Sequence, residues 1–238
     1  MRQKKRANSY WLWRGPSPMD EKPVILIASN VNLPSTNTKT GWMVQLWIMR
    51  EDIPPNTAVW EEEDASVCGG CPLRLNRFGK KGEKKGCYVN VSRAPNMVYK
   101  SYKNGNIPYM NPAEFVNTYD RPLRQGAYGD PAMIPFEIWE ILEGNTNRIG
   151  TSYTHQYDEP WFDSRMWEYA MGSVETLEQK QRVNAMGGRT YRIIDDISDI
   201  QPDELVCPNK TSNVQCADCG LCSGTRKGAK NIVIQRIG

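Results

Sequence analysis

Four cysteines in the last quarter of the chain place the tightest limit on how it can fold. Cys207 precedes the run Cys216-Ala-Asp-Cys219-Gly-Leu-Cys222, in which successive thiols are three residues apart. A run with this spacing turns its thiolates toward one centre, and Cys207 can supply the fourth corner of a tetrahedron. The sequence therefore predicts a closed metal site, with zinc as the first choice and an iron–sulfur cluster as the second.

Three more cysteines form a second group upstream. They are Cys68 and Cys71, which enclose two glycines, and Cys87. A disulfide framework of a secreted protein is the competing interpretation, but we expect no signal peptide, and the chain is too long to need such cross-links and has an odd number of cysteines. We predict that both groups bind metal, and the sequence leaves open whether they share one site.

Length and charge predict one domain with a basic extension. With 238 residues the chain can bury a core of its own, so we expect a basic arm over 1–20 and a single domain over 21–238, with metal-binding loops at 68–87 and 207–222. No stretch approaches the run of about 20 apolar residues that a membrane span needs. The expected protein is soluble and cytoplasmic, with no membrane partner.

Short apolar runs recur along the chain and predict eight strands. Helical periodicity is predicted over 131–142 and over 175–186, where Gly187 and Gly188 provide a stop. Alternation of strands and helices favours a parallel sheet, and eight strands favour a small, TIM-like (β/α)₈ barrel, with a doubly wound open sheet as the alternative. The predicted strands are Val24–Ala28, Trp42–Met49, Tyr88–Val91, Leu123–Tyr128, Ile149–Tyr153, Tyr169–Val174, Tyr191–Ile194 and Ile232–Ile237.

In such a barrel the chemistry belongs at the carboxyl ends of the strands, which directs attention to Asp130. It follows the fourth predicted strand in Gly126-Ala-Tyr128-Gly129-Asp130-Pro131, where a glycine turn would let a ligand approach the backbone of Tyr128 and Gly129. Asp130 is therefore a candidate nucleophile or base. The alternative is a helix N-cap, because Asp followed by Pro is a common helix start.

His155 and Asp195 are the other candidates at strand ends. His155 is the only histidine and follows the fifth predicted strand in the polar run Thr151-Ser-Tyr-Thr-His-Gln. It could serve as an acid–base group, a substrate contact or a fourth ligand for the three-cysteine group, or it could simply bond a neighbouring loop. Asp195 follows the seventh predicted strand and is the weaker candidate, since Asp195-Asp196 could cover the surface.

Basic residues collect between Cys71 and Cys87 and suggest contact with a nucleic acid. A metal-pinned loop with this charge could lie along a phosphate backbone, whereas the alternative is a solvated surface loop. The arm adds Trp11 and Trp13 beside Arg14, which could stack on bases or dock on the protein's own surface. The candidate nucleic-acid-binding residues of the loop are Arg74, Arg77, Lys80, Lys81, Lys84 and Lys85.

Several enzyme classes lack their motifs here. The chain has no phosphate-binding or dinucleotide-binding glycine loop, no Gly-x-Ser-x-Gly and no His-Glu-x-x-His. The compact three-cysteine loop usual in radical S-adenosylmethionine enzymes is also missing. The wider spacing of Cys68, Cys71 and Cys87 leaves an iron–sulfur enzyme as an alternative.

The segment Tyr169-Ala-Met-Gly-Ser-Val-Glu-Thr-Leu-Glu, followed by a helix and Gly187-Gly188, resembles the tRNA-guanine transglycosylase family. The resemblance implies a (β/α)₈ barrel with zinc, and it implies that main-chain groups of Met171, Gly172 and Ser173 line the pocket for the base. The chain also resembles small, cysteine-rich bacteriophage proteins. This likeness implies exchange of guanine for a 7-deazaguanine base, such as 7-cyano-7-deazaguanine, in DNA rather than RNA within the host cytoplasm.

The sequence departs from that family at the expected nucleophile. After Gly188 the next strand begins Arg189-Thr-Tyr-Arg192, and its first carboxylate is Asp195, so Asp130 and Asp195 both remain candidates. The cysteine run also differs in spacing and position from the family's zinc site. Two other functions stay open at this point: an iron–sulfur enzyme of the radical type, and a zinc-stabilised module that binds nucleic acid.

Overall fold

The computed structural model of the chain describes residues 7–74, 86–144, 148–226 and 230–235. Within these ranges the chain forms nine strands and eight α-helices. The strands are β1 (Ser9–Pro16), β2 (Pro23–Ser29), β3 (Val44–Arg50), β4 (Leu123–Tyr128), β5 (Tyr153–Thr154), β6 (Met171–Val174), β7 (Thr190–Ile194), β8 (Glu204–Val206) and β9 (Asn231–Gln235). The helices are α1 (Pro55–Trp60), α2 (Ala65–Cys68), α3 (Ala94–Lys103), α4 (Pro112–Phe115), α5 (Phe136–Glu143), α6 (Leu177–Ala185), α7 (Pro208–Thr211) and α8 (Cys216–Cys219).

The strands belong to two sheets. The first has the order β1-β2-β3-β4, in which β1, β2 and β3 are antiparallel neighbours and β4 runs parallel to β3. The second has the order β5-β6-β7-β9-β8, and all of its strands are parallel. The last strand, β9, therefore lies between β7 and β8.

Two main-chain hydrogen bonds connect the sheets. Gln125 N donates to Thr151 O and Thr151 N donates to Leu123 O, each at 2.9 Å. These bonds form a parallel bridge just before β5 begins. As a result, β4 lies beside β5 and the carboxyl ends of β4, β5 and β6 point to the same side of the molecule.

The predicted (β/α)₈ barrel is wrong. Within the described ranges the two sheets do not close into a barrel, and β1 and β8 each have one neighbour in their sheets. The apolar run Tyr88–Val91 is an irregular segment and a turn before α3, whereas Ser9–Pro16, assigned to the basic arm, is a strand. The antiparallel order β1-β2-β3 needs no helical crossovers, so the repeating strand–helix pattern of a barrel is absent there.

Most of the other predicted elements are confirmed with small shifts. β4 has the predicted bounds, and β2, β3, β6, β7 and β9 overlap the predicted strands; the end of the last predicted strand lies outside the described residues. The predicted helix over 131–142 divides into a 3₁₀ turn, Pro131–Met133, and α5, because Pro135 has no N–H to continue the turn. α6 begins at a capping box formed by Thr176 and Gln179.

The main core lies on the first sheet. Every residue of β3 is buried, as are six of the seven in β2, because both strands lie inside the sheet and carry nearly continuous apolar side chains. Trp139 and Leu142 of α5 are fully buried and belong to the same core.

The second sheet has two different faces. On the face that we call the inner face, Tyr153 and Met171 of β5 and β6 cluster with Tyr191, Ile232 and two of the downstream cysteines. On the opposite face, Val174 packs with Val183 of α6. Side chains alternate along a strand, so each strand contributes to both faces.

Candidate functional site

Three polar side chains lie where neighbouring parallel strands end. Asp130 follows β4, His155 follows β5 directly, and Glu175 follows β6 directly. Parallel strands that lie side by side present their carboxyl ends at one edge, which is where ligands bind in sheets of this kind. The sequence predicted two members of this group, and the third, Glu175, was missed.

His155 and Glu175 form a pair. The imidazole Nε2 lies 3.1 Å from Oε1 of Glu175, and the side chains are 13% and 22% exposed. The Cys71 thiol is a second neighbour of the imidazole that acts on its pKa. Burial lowers the pKa of His155, but the interactions with Cys71 and Glu175 outweigh burial and raise that pKa to about 10.

The second carboxylate oxygen of Glu175, Oε2, is buried but unpaired. Within the described part of the chain, the buried Oε2 atom has no hydrogen-bond partner. Buried carboxylate oxygens are normally paired, so an unpaired one beside a histidine marks a position where a ligand atom can bind. The sequence offered a signal for Glu175, since it directly follows the strand in the Tyr169–Glu178 segment.

Asp130 uses its carboxylate differently. Oδ1 accepts a hydrogen bond from Ala132 N at 3.0 Å, while Oδ2 accepts from His155 N at 2.9 Å and from Gln156 Nε2 at 3.0 Å. The N-cap interpretation is therefore confirmed, and the same carboxylate also holds the main chain at His155. Burial raises the pKa of Asp130, against the lowering effect of these hydrogen bonds. Its role as nucleophile stays a prediction that this geometry does not favour.

Gln156 is a second residue that the sequence analysis missed. Its buried side chain donates to Cys68 O at 2.9 Å and accepts from Gly70 N at 3.0 Å. Gly69 has φ +52°, and a Cβ there would collide with Gln156. These contacts fix the Cys-Gly-Gly-Cys turn against the end of β5, which places Cys71 beside His155.

The predicted base-binding strand uses its amides within the sheet. Met171 N donates to Ser152 O at 3.0 Å and Gly172 N donates to Arg189 O at 2.8 Å. Those two amides are consequently engaged in strand pairing rather than free for a base. Ser173 is buried on the same strand.

The glycine turn after β4 also serves packing. Tyr128 is buried, and Gly129, at φ +83°, lies so close to Ile48 of β3 that a Cβ would be 2.6 Å from the Ile48 side chain. The close approach that this glycine permits is thus to β3. Asp195 lies exposed after β7, and its carbonyl oxygen accepts from Gln235 Nε2 at 3.1 Å.

The four downstream cysteines line one cavity of about 20 Å³ together with Tyr153 and Tyr191. The Tyr153 side chain lines this cavity beside Cys222. Burial raises the pKa of Cys222 to about 12, and burial also raises the pKa of Cys216. Lys39 and Arg124 act in the opposite direction on the pKa of Cys216, but burial is the larger effect.

Neither cysteine group is arranged as a finished coordination shell. In the residues that the structure describes, no group of three or more His, Cys, Asp or Glu side chains is arranged so that it could hold a metal ion. The zinc and iron–sulfur predictions for Cys68, Cys71 and Cys87 and for the downstream group therefore stay predictions.

Of the six basic residues predicted to bind nucleic acid, only Arg74 lies within the described residues. Arg74 donates to Glu62 O at 2.8 Å and pairs with Asp64 at 2.9 Å, so its guanidinium stabilises the protein's own loop. Trp11 packs against Tyr109 with 4.3 Å between ring centroids and the rings tilted by 42°, which matches the interpretation that the aromatic residues of the arm dock on the protein. Arg77, Lys80, Lys81, Lys84 and Lys85 lie outside the described residues.

Comparison of the chain with protein-family models, with curated proteins and with solved structures finds no match. Among the helices of the described ranges, none has the length and apolar character that crossing a membrane requires.

Proposed function

We propose that the chain is a transglycosylase that exchanges guanine for a 7-deazaguanine base in DNA, with Glu175 and His155 at its reaction centre. The observation that carries the proposal is the Glu175 carboxylate, which has Oε1 on His155 and Oε2 without a partner in the described residues. Its position at the carboxyl ends of parallel strands supports an enzyme, and the resemblance over 169–178 supports this reaction. Exchange in cytoplasmic DNA is part of the same proposal.

The reaction takes two displacements at C1′ of the nucleotide. In the first, Oε2 of Glu175 forms a bond to C1′, the bond from C1′ to guanine N9 breaks, and the departing base takes the bonding electrons and a proton from His155. In the second, N9 of the incoming 7-deazaguanine attacks C1′. The ester bond to Glu175 breaks, and the N9 proton returns to His155.

Asp130 and Gln156 act as positioning residues in this scheme. Asp130 accepts from His155 N, and Gln156 connects Asp130 to the turn that carries Cys71. Holding the imidazole and the carboxylate in one geometry lowers the entropic cost of the reaction. The target guanine must leave the base stack before Glu175 can reach C1′.

The test is release of labelled guanine from DNA and from RNA in the presence of a 7-deazaguanine base. We expect Glu175→Gln to reduce exchange on DNA by at least about a thousandfold, since the nucleophile is lost. Glu178→Gln, an exposed glutamate in the first turn of α6, is the matched control and keeps the wild-type rate. Asp130→Asn should slow exchange without abolishing it.

Two results would overturn this assignment. One is a wild-type rate in Glu175→Gln, and the other is an absence of exchange on either nucleic acid by the folded wild-type protein. Loss of all activity in Asp130→Asn with full activity in Glu175→Gln would return the nucleophile to Asp130.

The contact between Cys71 and His155 favours a second candidate. His155 would then be the fourth ligand of a metal held by Cys68, Cys71 and Cys87, in a module that binds nucleic acid without a reaction. This candidate predicts salt-sensitive DNA binding that survives Glu175→Gln, together with metal loss in His155→Ala. Stoichiometric iron and sulfide in the same group would indicate an iron–sulfur enzyme instead.

A further inference from the structure

We infer that Cys207, Cys216, Cys219 and Cys222 together bind a single zinc ion, and that this ion fixes strand β5 in place. All four thiols line the same cavity, although the segments that carry them are hydrogen-bonded to different elements of the fold. Four thiolates are the ligand set of structural zinc sites.

Main-chain hydrogen bonds connect three of the downstream cysteines to three different parts of the fold. Cys207 N donates to Val233 O of β9 at 2.8 Å, and Cys216 N donates to Lys39 O at 3.0 Å. Cys222 O accepts from Ser152 N, directly before β5, at 3.0 Å. An ion bound to these cysteines would cross-link the β8–β9 edge, the loop at residues 37–41 and the start of β5.

The segment from 216 to 224 cannot be held by hydrophobic packing alone. Leu221 is its only large apolar residue. Polar contacts partly compensate, because the buried Arg189 guanidinium donates to Leu221 O at 3.1 Å and to the carbonyl oxygen of Gly224. Small segments with so little apolar surface usually depend on a metal or a disulfide for their stability.

The size of the cavity favours one ion over a cluster. About 20 Å³ is room for roughly one water-sized atom, which fits a single zinc ion and not an assembly of several iron and sulfide atoms. Rotation of the cysteine side chains toward the cavity would shorten the sulfur distances to the approximately 2.3 Å of a zinc–thiolate bond. Gly220, at φ +63°, provides the tight turn between Cys219 and Cys222.

β5 is the element that gains most from such an ion. It pairs with β6 through only Tyr153 and Thr154, and Tyr153 lines the cavity beside Cys222. His155 follows immediately, so displacement of β5 would displace the imidazole from Glu175. The effect of the ion on the position of His155 matters only if the proposed function holds, so this part of the inference rests on the proposed function. Zinc binding by the four cysteines does not.

The first experiment is zinc and iron analysis of the untagged protein, in the wild type and in Cys219→Ser and Cys222→Ser. Both variants should contain one equivalent of zinc less than the wild type. Cys71→Ser, in the other cysteine group, is the matched control and should keep that equivalent. Equal zinc in the wild type and in both downstream variants, or iron with sulfide lost from those variants, would overturn the inference.

A second variant keeps all four cysteines, so it tests the site even if the cysteine variants fail to fold. Tyr153→Phe removes only a hydroxyl from the side chain that lines the cavity beside Cys222, and loss of a polar neighbour of a metal ligand typically weakens metal binding by about 10-fold to 100-fold. We therefore expect zinc to pass to a chelator from Tyr153→Phe at about one tenth of the chelator concentration that the wild type requires. An unchanged chelator requirement would contradict this role of Tyr153 and, with it, the proposed site.

His155 reports on β5 because it is the only histidine in the chain. In Cys71→Ser, removal of zinc from the downstream site should shift the single set of imidazole resonances in an NMR spectrum, whether or not the protein exchanges bases. Unchanged resonances after zinc removal would contradict the claim that the zinc ion fixes β5 in place. Full zinc content with no base exchange would instead count against the proposed function alone.

Discussion

Two carboxylates, at the ends of the strands on either side of β5, have different surroundings and hence different roles. Asp130 accepts three hydrogen bonds, whereas Glu175 keeps one buried oxygen without a partner in the described ranges. The strand-end rule predicted the positions of Asp130 and His155 from sequence. It could not identify Glu175 as the partner of His155, because that contact depends on β5 and β6 being neighbours in the sheet.

Glu143 provides a prediction about pH. Its buried carboxylate accepts from Gln125 Nε2 at 3.0 Å and pairs with Arg226 at 3.1 Å, with the Tyr119 hydroxyl group also nearby. Burial dominates and raises the pKa of Glu143 to about 7 from its usual 4.5. The folded state therefore binds the proton more tightly than the unfolded state, and this contribution is complete below pH 4.5 and lost as the pH rises through 7.

We expect the free energy of unfolding, measured with urea at pH 5 and pH 8, to fall more in the wild type than in Glu143→Gln. The difference should be on the order of 1–3 kcal/mol, because each pKa unit corresponds to about 1.4 kcal/mol. Glu140→Gln, on the exposed side of α5, is the control and should keep the wild-type pH dependence. Equal pH dependence in the wild type and in Glu143→Gln would contradict the prediction.

At the scale of elements, β6 and α6 show how local sequence places two elements in contact. Gly172 lies where a Cβ would be 2.8 Å and 2.9 Å from the two methyl groups of Val183. The absence of a side chain thus allows the helix to approach the strand. The resemblance predicted that this glycine presents its amide to a base, yet the structure uses it for packing.

Gly172→Ala should lower the free energy of unfolding by about 1–3 kcal/mol, since the new methyl group overpacks the interface. Adding Val183→Ala should recover part of this loss by making room for that methyl group. Gly187→Ala, at φ +84° with open space around it, is the control; its backbone strain should not respond to Val183→Ala. Urea denaturation of the single and double variants measures the coupling. Strictly additive effects of Gly172→Ala and Val183→Ala would refute the close contact.

The sequence did not predict which strands are neighbours or in which direction they run, because this depends on pairing between residues far apart in the chain. The apolar runs of β2, β3 and β4 were found because hydrophobic patterns are local. Whether β1 pairs with β2, and in which direction, is decided by the fold as a whole. The run Tyr88–Val91 has strand-like composition, but a four-residue apolar run does not by itself identify a strand.

At the scale of the whole molecule, the proposal requires a cationic path for DNA, and the sequence predicts that its residues lie mainly between Cys71 and Cys87. Lys80→Ala with Lys81→Ala should weaken DNA binding and reduce the slope of log K against log salt by about 2, since each phosphate contact contributes about 0.9 for duplex DNA. The paired control Lys100→Ala with Lys103→Ala, on α3, should leave the slope unchanged. An identical slope in the wild type and in the Lys80 and Lys81 variant would place the DNA elsewhere.

The position of β9 between β7 and β8 has a consequence for biosynthesis. β8 leaves the ribosome before β9, and in the second sheet β9 is its only neighbour. Until β9 emerges, the nascent protein exposes the unpaired edge of β7, a surface that favours association with other chains. All seven cysteines precede β9 in the sequence and are translated before it. An ion bound to the downstream cysteines could therefore hold their segments together before β9 inserts between β7 and β8.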